Sequence, residues 1–110
     1  MNFLEEKYGR QEKTYRWSYY INDTLFAQLE ELSMIYRTKI SELINDSVEI
    51  LVQSKNIEVY KRAKNELSIK YTVLMRESAL DGLEDLSGRY GISLSKLINI
   101  AISTLLKSNH

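Results

Sequence analysis

Side chains able to bind a polar or charged partner recur at alternate positions in two short segments of this 110-residue chain. The segments contribute three positions each, which are Arg16, Ser18, Tyr20, Lys70, Thr72 and Leu74. The net charge is zero, but residues 55–76 carry six basic and two acidic side chains. An anionic partner should therefore meet the segments around Arg16 and Lys70 rather than the whole surface.

The residue types argue against catalysis. The chain has no cysteine, one histidine at His110, no glycine-rich phosphate loop, and carboxylates scattered along its helix faces. We therefore expect no enzyme activity, no metal and no cofactor. No apolar run approaches the ~18 residues of a transmembrane helix, and the acidic start lacks the apolar core of a signal peptide. We expect a cytoplasmic protein with no membrane partner.

Arg16 and Lys70 are 54 residues apart, and the same offset aligns a much longer stretch of the chain with itself. Aligned without a gap at that spacing, residues 29–54 and 83–108 share 11 identities in 26 pairs. Such internal similarity indicates one structural unit used twice. Asn45 recurs as Asn99, which favours a shared structural hydrogen bond over simple exposure.

Each copy begins with a period-two alternation of aromatic and β-branched residues, which predicts a short strand with one buried face. The positions on that face are Trp17, Tyr19, Ile21, Tyr71, Val73 and Met75. Two helices with apolar stripes follow in each copy. We assign Trp17 and four stripe residues to the core, namely Leu29, Tyr36, Leu83 and Tyr90. Gly91 suits a left-handed end of the first helix, whereas Arg37 at the matching position predicts a different turn.

The chain divides into a flexible N-terminal extension (1–14), a first copy (15–54), a connector (55–68) and a second copy (69–110). One copy alone exposes a strand edge and cannot close a core. Antiparallel pairing of the two strands would solve both problems. We therefore expect a mainly α fold with a two-stranded antiparallel β-ribbon, in which the two copies form one compact single-chain pseudo-dimer.

The order strand, helix, turn, helix resembles the ribbon-helix-helix (MetJ/Arc/CopG) superfamily. The residues that carry the resemblance are KYTVLM at 70–75, LEDLS at 83–87 and YGISLSKLI at 90–98. The tandem arrangement is similar in layout to the conjugation protein TraY. In this superfamily the ribbon enters the major groove of double-stranded DNA and its outward side chains contact base edges.

The resemblance implies roles for two sets of residues. The base-reading set would be the six alternate positions named above, although Leu74 departs from the polar pattern and would touch a thymine methyl or contribute little. The start of the second helix of each copy would bind phosphate through its backbone N–H groups. The phosphate-binding residues would be Thr38, Lys39, Ile40, Ser93 and Leu94. The first copy departs from the Gly-x-Ser pattern here, because it has Arg37-Thr38-Lys39.

These features predict a sequence-specific DNA-binding protein that represses a promoter, with self-association of pseudo-dimers on DNA. One alternative is an accessory factor at a plasmid or conjugative transfer origin, with a relaxase partner. An alternative of another class is an antitoxin-like protein-interaction module, with a toxin partner, whose ribbon no longer contacts bases. Leu74, the zero net charge and the acidic helices favour that last alternative.

Overall fold

Four helices and two strands make up the part of the chain that the computed structural model describes, which is residues 13–58, 61 and 65–108. In chain order they are β1 (Thr14–Asn22), α1 (Asp23–Tyr36), α2 (Ile40–Ser54), β2 (Ser68–Arg76), α3 (Glu77–Tyr90) and α4 (Leu94–Ser108). The expected flexible extension over residues 1–14 lies outside the described residues except for Lys13 and Thr14, and the expected connector 55–68 is described only in part.

The two strands form one antiparallel sheet in which β1 runs beside β2 over nine residue pairs. Thr14 pairs with Arg76 at one end, Asn22 with Ser68 at the other, and Ser18 lies opposite Thr72 at the centre. The predicted class, mainly helical with a two-stranded antiparallel ribbon, is confirmed.

The core lies between the inner face of the ribbon and the apolar stripes of the helices. Its fully buried side chains include Ile21, Val73 and Met75 from the strands and Leu29 and Leu83 from the helices. Burying each of these side chains contributes roughly 1.5–3 kcal/mol. Both strands and all four helices contribute buried side chains to this core.

Three residues expected in the core are exposed instead. Tyr36 and Tyr90 are the last residues of α1 and α3 and extend past the end of the core, so more than half of each is exposed. Trp17 is 64% exposed. Its counterpart Tyr71 packs on the ring of Phe26, with ring centroids 4.9 Å apart.

The edges of the ribbon are closed by two buried asparagines. Asn99 on α4 accepts a hydrogen bond from Asn22 N (2.8 Å) and donates to Tyr20 O (2.9 Å). Asn45 on α2 accepts from Arg76 N (2.8 Å) and donates to Leu74 O (2.8 Å). Each asparagine thus satisfies backbone groups of the strand in the other half, and the expected structural role of this residue is confirmed.

The turn after the first helix has the same conformation in both halves. Arg37 adopts φ 52°, ψ 48° and Gly91 adopts φ 64°, ψ 33°, both left-handed. Behind them Ser33 Oγ donates to Thr38 O and Ser87 Oγ donates to Ile92 O, each at 2.6 Å. The prediction of a different turn at Arg37 is therefore wrong, since the serine hydrogen bond holds the loop although a side chain in this region costs roughly 1–2 kcal/mol.

Candidate nucleic-acid interface

One face of the ribbon points away from all four helices and carries the six alternate side chains. We call this surface the outer face, and its residues are Arg16, Ser18, Tyr20, Lys70, Thr72 and Leu74. All six are exposed except the half-buried Ser18. These side chains lie apart from the buried ones because successive side chains of a pleated strand point to opposite sides of the sheet. The structure therefore brings the whole predicted base-reading set together.

The register arranges the outer face as three cross-strand pairs. Ser18 lies opposite Thr72, and their hydroxyl oxygens are 2.9 Å apart in a hydrogen bond. One hydroxyl donates to the other, so the accepting hydroxyl keeps its own proton for a partner in front of the ribbon. The outer pairs are Arg16 with Leu74 and Lys70 with Tyr20. The two cations thus lie at opposite ends and on different strands.

Within the described part of the chain, neither Arg16 nor Lys70 takes part in an ion pair. Arg76, by contrast, lies 2.9 Å from Asp46 and 3.4 Å from Glu49. No described acidic side chain therefore neutralises either outer-face cation.

The N-termini of α2 and α4 lie beside the outer face at opposite ends of the ribbon. Ser95, in the first turn of α4, accepts a hydrogen bond from Tyr20 N at 3.1 Å. In α2 the side-chain amide of Asn45 bridges Ser41 O and Leu74 O, each at 2.8 Å. The asparagines that close the strand edges therefore also fix these two helix ends next to the ribbon.

The predicted phosphate-binding residues occupy these helix ends, but their side chains contribute unequally. The first intrahelical hydrogen bonds run from Leu43 N to Lys39 O and from Leu97 N to Ser93 O, so the preceding N–H groups have no partner within the helix. Ser93 Oγ accepts one of them, from Lys96 N at 3.2 Å. Lys39 offers no acceptor but adds a positive charge to its helix end.

Three further members of the predicted phosphate set do not present side chains to solvent freely. Ile40 and Leu94 pack against the core, so only their backbone N–H groups could contact a ligand. Thr38 is half-buried and its carbonyl oxygen is held by Ser33. At Ile40 and Leu94 the donors offered are therefore backbone N–H groups rather than side chains, and Thr38 N already donates to Ser33 O.

Trp17 is the residue of this surface that sequence reasoning missed. It lies at the rim of the ribbon, where its indole borders both the outer face and a groove formed with Tyr15, Leu80 and Leu94. The sequence contains a signal of this exposure in a mismatch between the two copies, since Leu80 stands where the other half has Phe26. The smaller side chain leaves the larger indole without the aromatic cover that Tyr71 has.

Within the described ranges, no three His, Asp or Glu side chains lie close enough together to hold a metal ion. None of the helices described there combines the length and apolar character needed to cross a membrane. No protein-family model, curated protein or solved structure matches the chain.

Proposed function

We propose that this chain is a sequence-specific double-stranded DNA-binding protein of the ribbon-helix-helix type. The observation that carries the proposal is an exposed two-stranded ribbon with a helix N-terminus at each end, whose outer face bears two hydroxyls and two cations that pair with no other described residue. A major groove about 12 Å wide admits a two-stranded ribbon.

The proposal includes a single-chain pseudo-dimer, supported by the agreement of the repeat with the register. Ser18 and Thr72 are matching positions of the two copies and also lie directly opposite each other. A two-fold axis through this pair would exchange Arg16 with Lys70 and Tyr20 with Leu74, which is how the three cross-strand pairs are arranged. Two subunits of a symmetric ribbon dimer would have the same relation.

The chemistry of the outer face suits base edges. Arg16 and Lys70 would donate to guanine O6 and N7, Ser18 and Thr72 would donate or accept, and Leu74 would contact a thymine methyl. Arg16 and Tyr20 are four residues apart, about 13 Å along the strand, which corresponds to about four base pairs. The ribbon would therefore contact a short central stretch of the site.

The two helix ends would bind the DNA backbone on either side of that stretch. Backbone N–H groups and the helix dipole bind phosphate without basic side chains. Zero net charge is thus compatible with DNA binding, since the positive charge needed is local to the ribbon and to Lys39.

We propose promoter repression as the biological role. Binding at a transfer origin beside a relaxase would need the same surface, because both roles require only recognition of a site. The rival of another class is an antitoxin-like interaction module, which the exposed Leu74 and Tyr20 favour.

The single tryptophan provides a direct test, because Trp17 borders the outer face. Fluorescence titration with short duplexes of random sequence, between about 50 and 200 mM salt, should change Trp17 emission and show steep weakening with salt. Reversing both cations, Arg16→Glu with Lys70→Glu, should weaken binding about a hundredfold or more.

The matched control reverses two cations elsewhere on the chain, Lys55→Glu with Lys107→Glu. These lie at the C-terminal ends of α2 and α4, and Lys107 is 12 residues from Ser95, about 18 Å along the helix. The control should weaken binding far less, because these two charges lie away from the outer face and attract DNA only over a distance at which salt screens them. Equal weakening by both double variants, or no binding by the parent at low salt, would contradict the proposal and favour the interaction module.

A further inference from the structure

The groove between Trp17 and α3 opens where the smaller Leu80 replaces an aromatic ring. In the other half Phe26 occupies the position that corresponds to Leu80, and it packs on Tyr71 with ring centroids 4.9 Å apart. The open groove has a volume of about 300 Å³, which is at the lower end of the range of small-molecule sites. We call it the Trp17 groove, and its lining residues are Tyr15, Trp17, Tyr19, Leu80, Glu84 and Leu94.

The walls of the Trp17 groove combine aromatic rings with one acidic side chain. Trp17 is 64% exposed and Tyr15 is 43% exposed, so a ligand from solvent can contact both rings. Glu84 is the one charged residue among the six lining residues, and it forms no ion pair with another described residue. The faces of aromatic rings attract cations, and that of tryptophan does so most strongly. The groove therefore favours a positively charged ligand over a neutral or negative one.

The negative charge of Glu84 acts on the interior of the groove and not only on solvent. Tyr19 is buried on the inner face of β1. The pKa of Tyr19 is raised above its ordinary value, first by burial of the hydroxyl and second by the charge of Glu84. An electrostatic field that disfavours a phenolate favours a positive charge in the same place.

We propose that the Trp17 groove binds an organic cation with a small apolar body, such as an aromatic amine. The apolar body would cover Trp17, Leu80 and Leu94, and the ammonium group would lie beside Glu84. A ligand of about nine non-hydrogen atoms should then have a dissociation constant on the order of 0.1–1 mM. Binding of the cation needs no DNA, so failure of the proposed function would leave this site untouched.

The fluorescence of Trp17, the single tryptophan of the chain, tests the proposal on the full chain without DNA. Phenethylammonium should change the emission and saturate in the expected range. The neutral 2-phenylethanol, which has nearly the same shape, should bind about fivefold more weakly. Phenylacetate, which is an anion, should not bind below about 10 mM. Equal affinity for the ammonium ion and the alcohol would overturn the proposal, because the groove would then recognise only the apolar body.

The same substitution at two matching positions isolates the charge of Glu84. Glu84→Gln should weaken the binding of phenethylammonium by about threefold or more and leave that of 2-phenylethanol unchanged, since the charge is removed and the shape is kept. Glu30→Gln is the matched control in the other half, where Phe26 stands in place of Leu80, and it should leave both affinities unchanged. Equal weakening by the two variants would contradict the proposal, because it would indicate general attraction to a negative surface.

Filling the groove tests where the cation binds. Leu80→Phe copies the residue of the other half, so it should shift the Trp17 emission to shorter wavelength without ligand and abolish the binding of phenethylammonium. Persistent binding by this variant, shown to be folded by thermal unfolding, would overturn the proposal. Glu84→Gln decides alone if the larger ring prevents folding. A parent chain that does not respond to phenethylammonium up to about 10 mM would also overturn it, leaving the groove to a second copy or to a segment outside the described residues.

Discussion

The two halves of the molecule, β1-α1-α2 and β2-α3-α4, are alike where they hold the ribbon and unlike where they face solvent. Asn45 and Asn99 make the same hydrogen bonds to opposite strands. Ser33 and Ser87 hold the same turn at the same distance. A buried polar group that loses its partner is costly, which explains why these residues match in the two halves.

The differences lie on the surfaces that a partner would meet. On the outer face Tyr20 stands in one half where Leu74 stands in the other. At the end of α1, Met34 stands where α3 has Gly88. Exposed positions carry little of the folding free energy, so the halves can present different side chains without disturbing the scaffold. The comparison therefore separates positions that hold the ribbon from positions available for binding.

The largest expected effect concerns the two buried asparagines and tests whether they stabilise the two strand edges equally. Asn45→Ala and Asn99→Ala should each lower the free energy of unfolding by about 2–4 kcal/mol, because each leaves a backbone N–H and a C=O of the opposite strand without partners. Urea denaturation followed by circular dichroism measures both.

Ser47→Ala is the matched control for the asparagines. Ser47 is as buried as Asn45 but bonds only to Leu43 O of its own helix, so its loss should cost less than about 1 kcal/mol. A cost at one asparagine as small as that of the control would show that only one strand edge depends on this hydrogen bonding.

Much of this architecture could be predicted from the sequence because periodicity reports which face of an element is buried. The alternation around Ser18 and Thr72 predicted the outer face, and the internal repeat predicted the antiparallel pairing. Periodicity does not report whether the neighbouring side chains are large enough to bury a residue on the inner face of the strand. Trp17 was assigned to the core from its position on the strand, and its exposure depends on the size of Leu80 across the groove.

The turn at Arg37 shows a second limit. A non-glycine residue at a left-handed position argues for a different loop when considered alone. The stabilising contact comes from Ser33, four residues earlier, whose hydroxyl reaches Thr38 O. That serine recurs as Ser87, so the signal was present in the alignment of the two copies.

The next effect concerns the two ends of the outer face and rests on the proposed DNA binding. Since Tyr20 and Leu74 differ, selection from random duplexes should return an asymmetric or loosely palindromic site, with base preferences of about 1–3 kcal/mol at contacted positions. Leu74→Tyr makes these two positions identical and should raise the symmetry of the selected site. A parent site with equal information in both halves would indicate pairing of like copies between two chains.

The smallest effect tests whether Arg37 and Gly91 share one conformation. A Cβ on Gly91 would meet no atom within 4 Å, so Gly91→Ala should lower stability by about 1 kcal/mol through backbone strain alone. Gly88 is equally unobstructed but helical, so Gly88→Ala should raise stability by about 0.5–1 kcal/mol. Arg37→Gly should also raise it, by up to about 1 kcal/mol, because relief of strain exceeds the added entropy of the unfolded chain. Denaturant midpoints moving in the same direction for both alanine variants would show that the left-handed turn is not what distinguishes these two glycines.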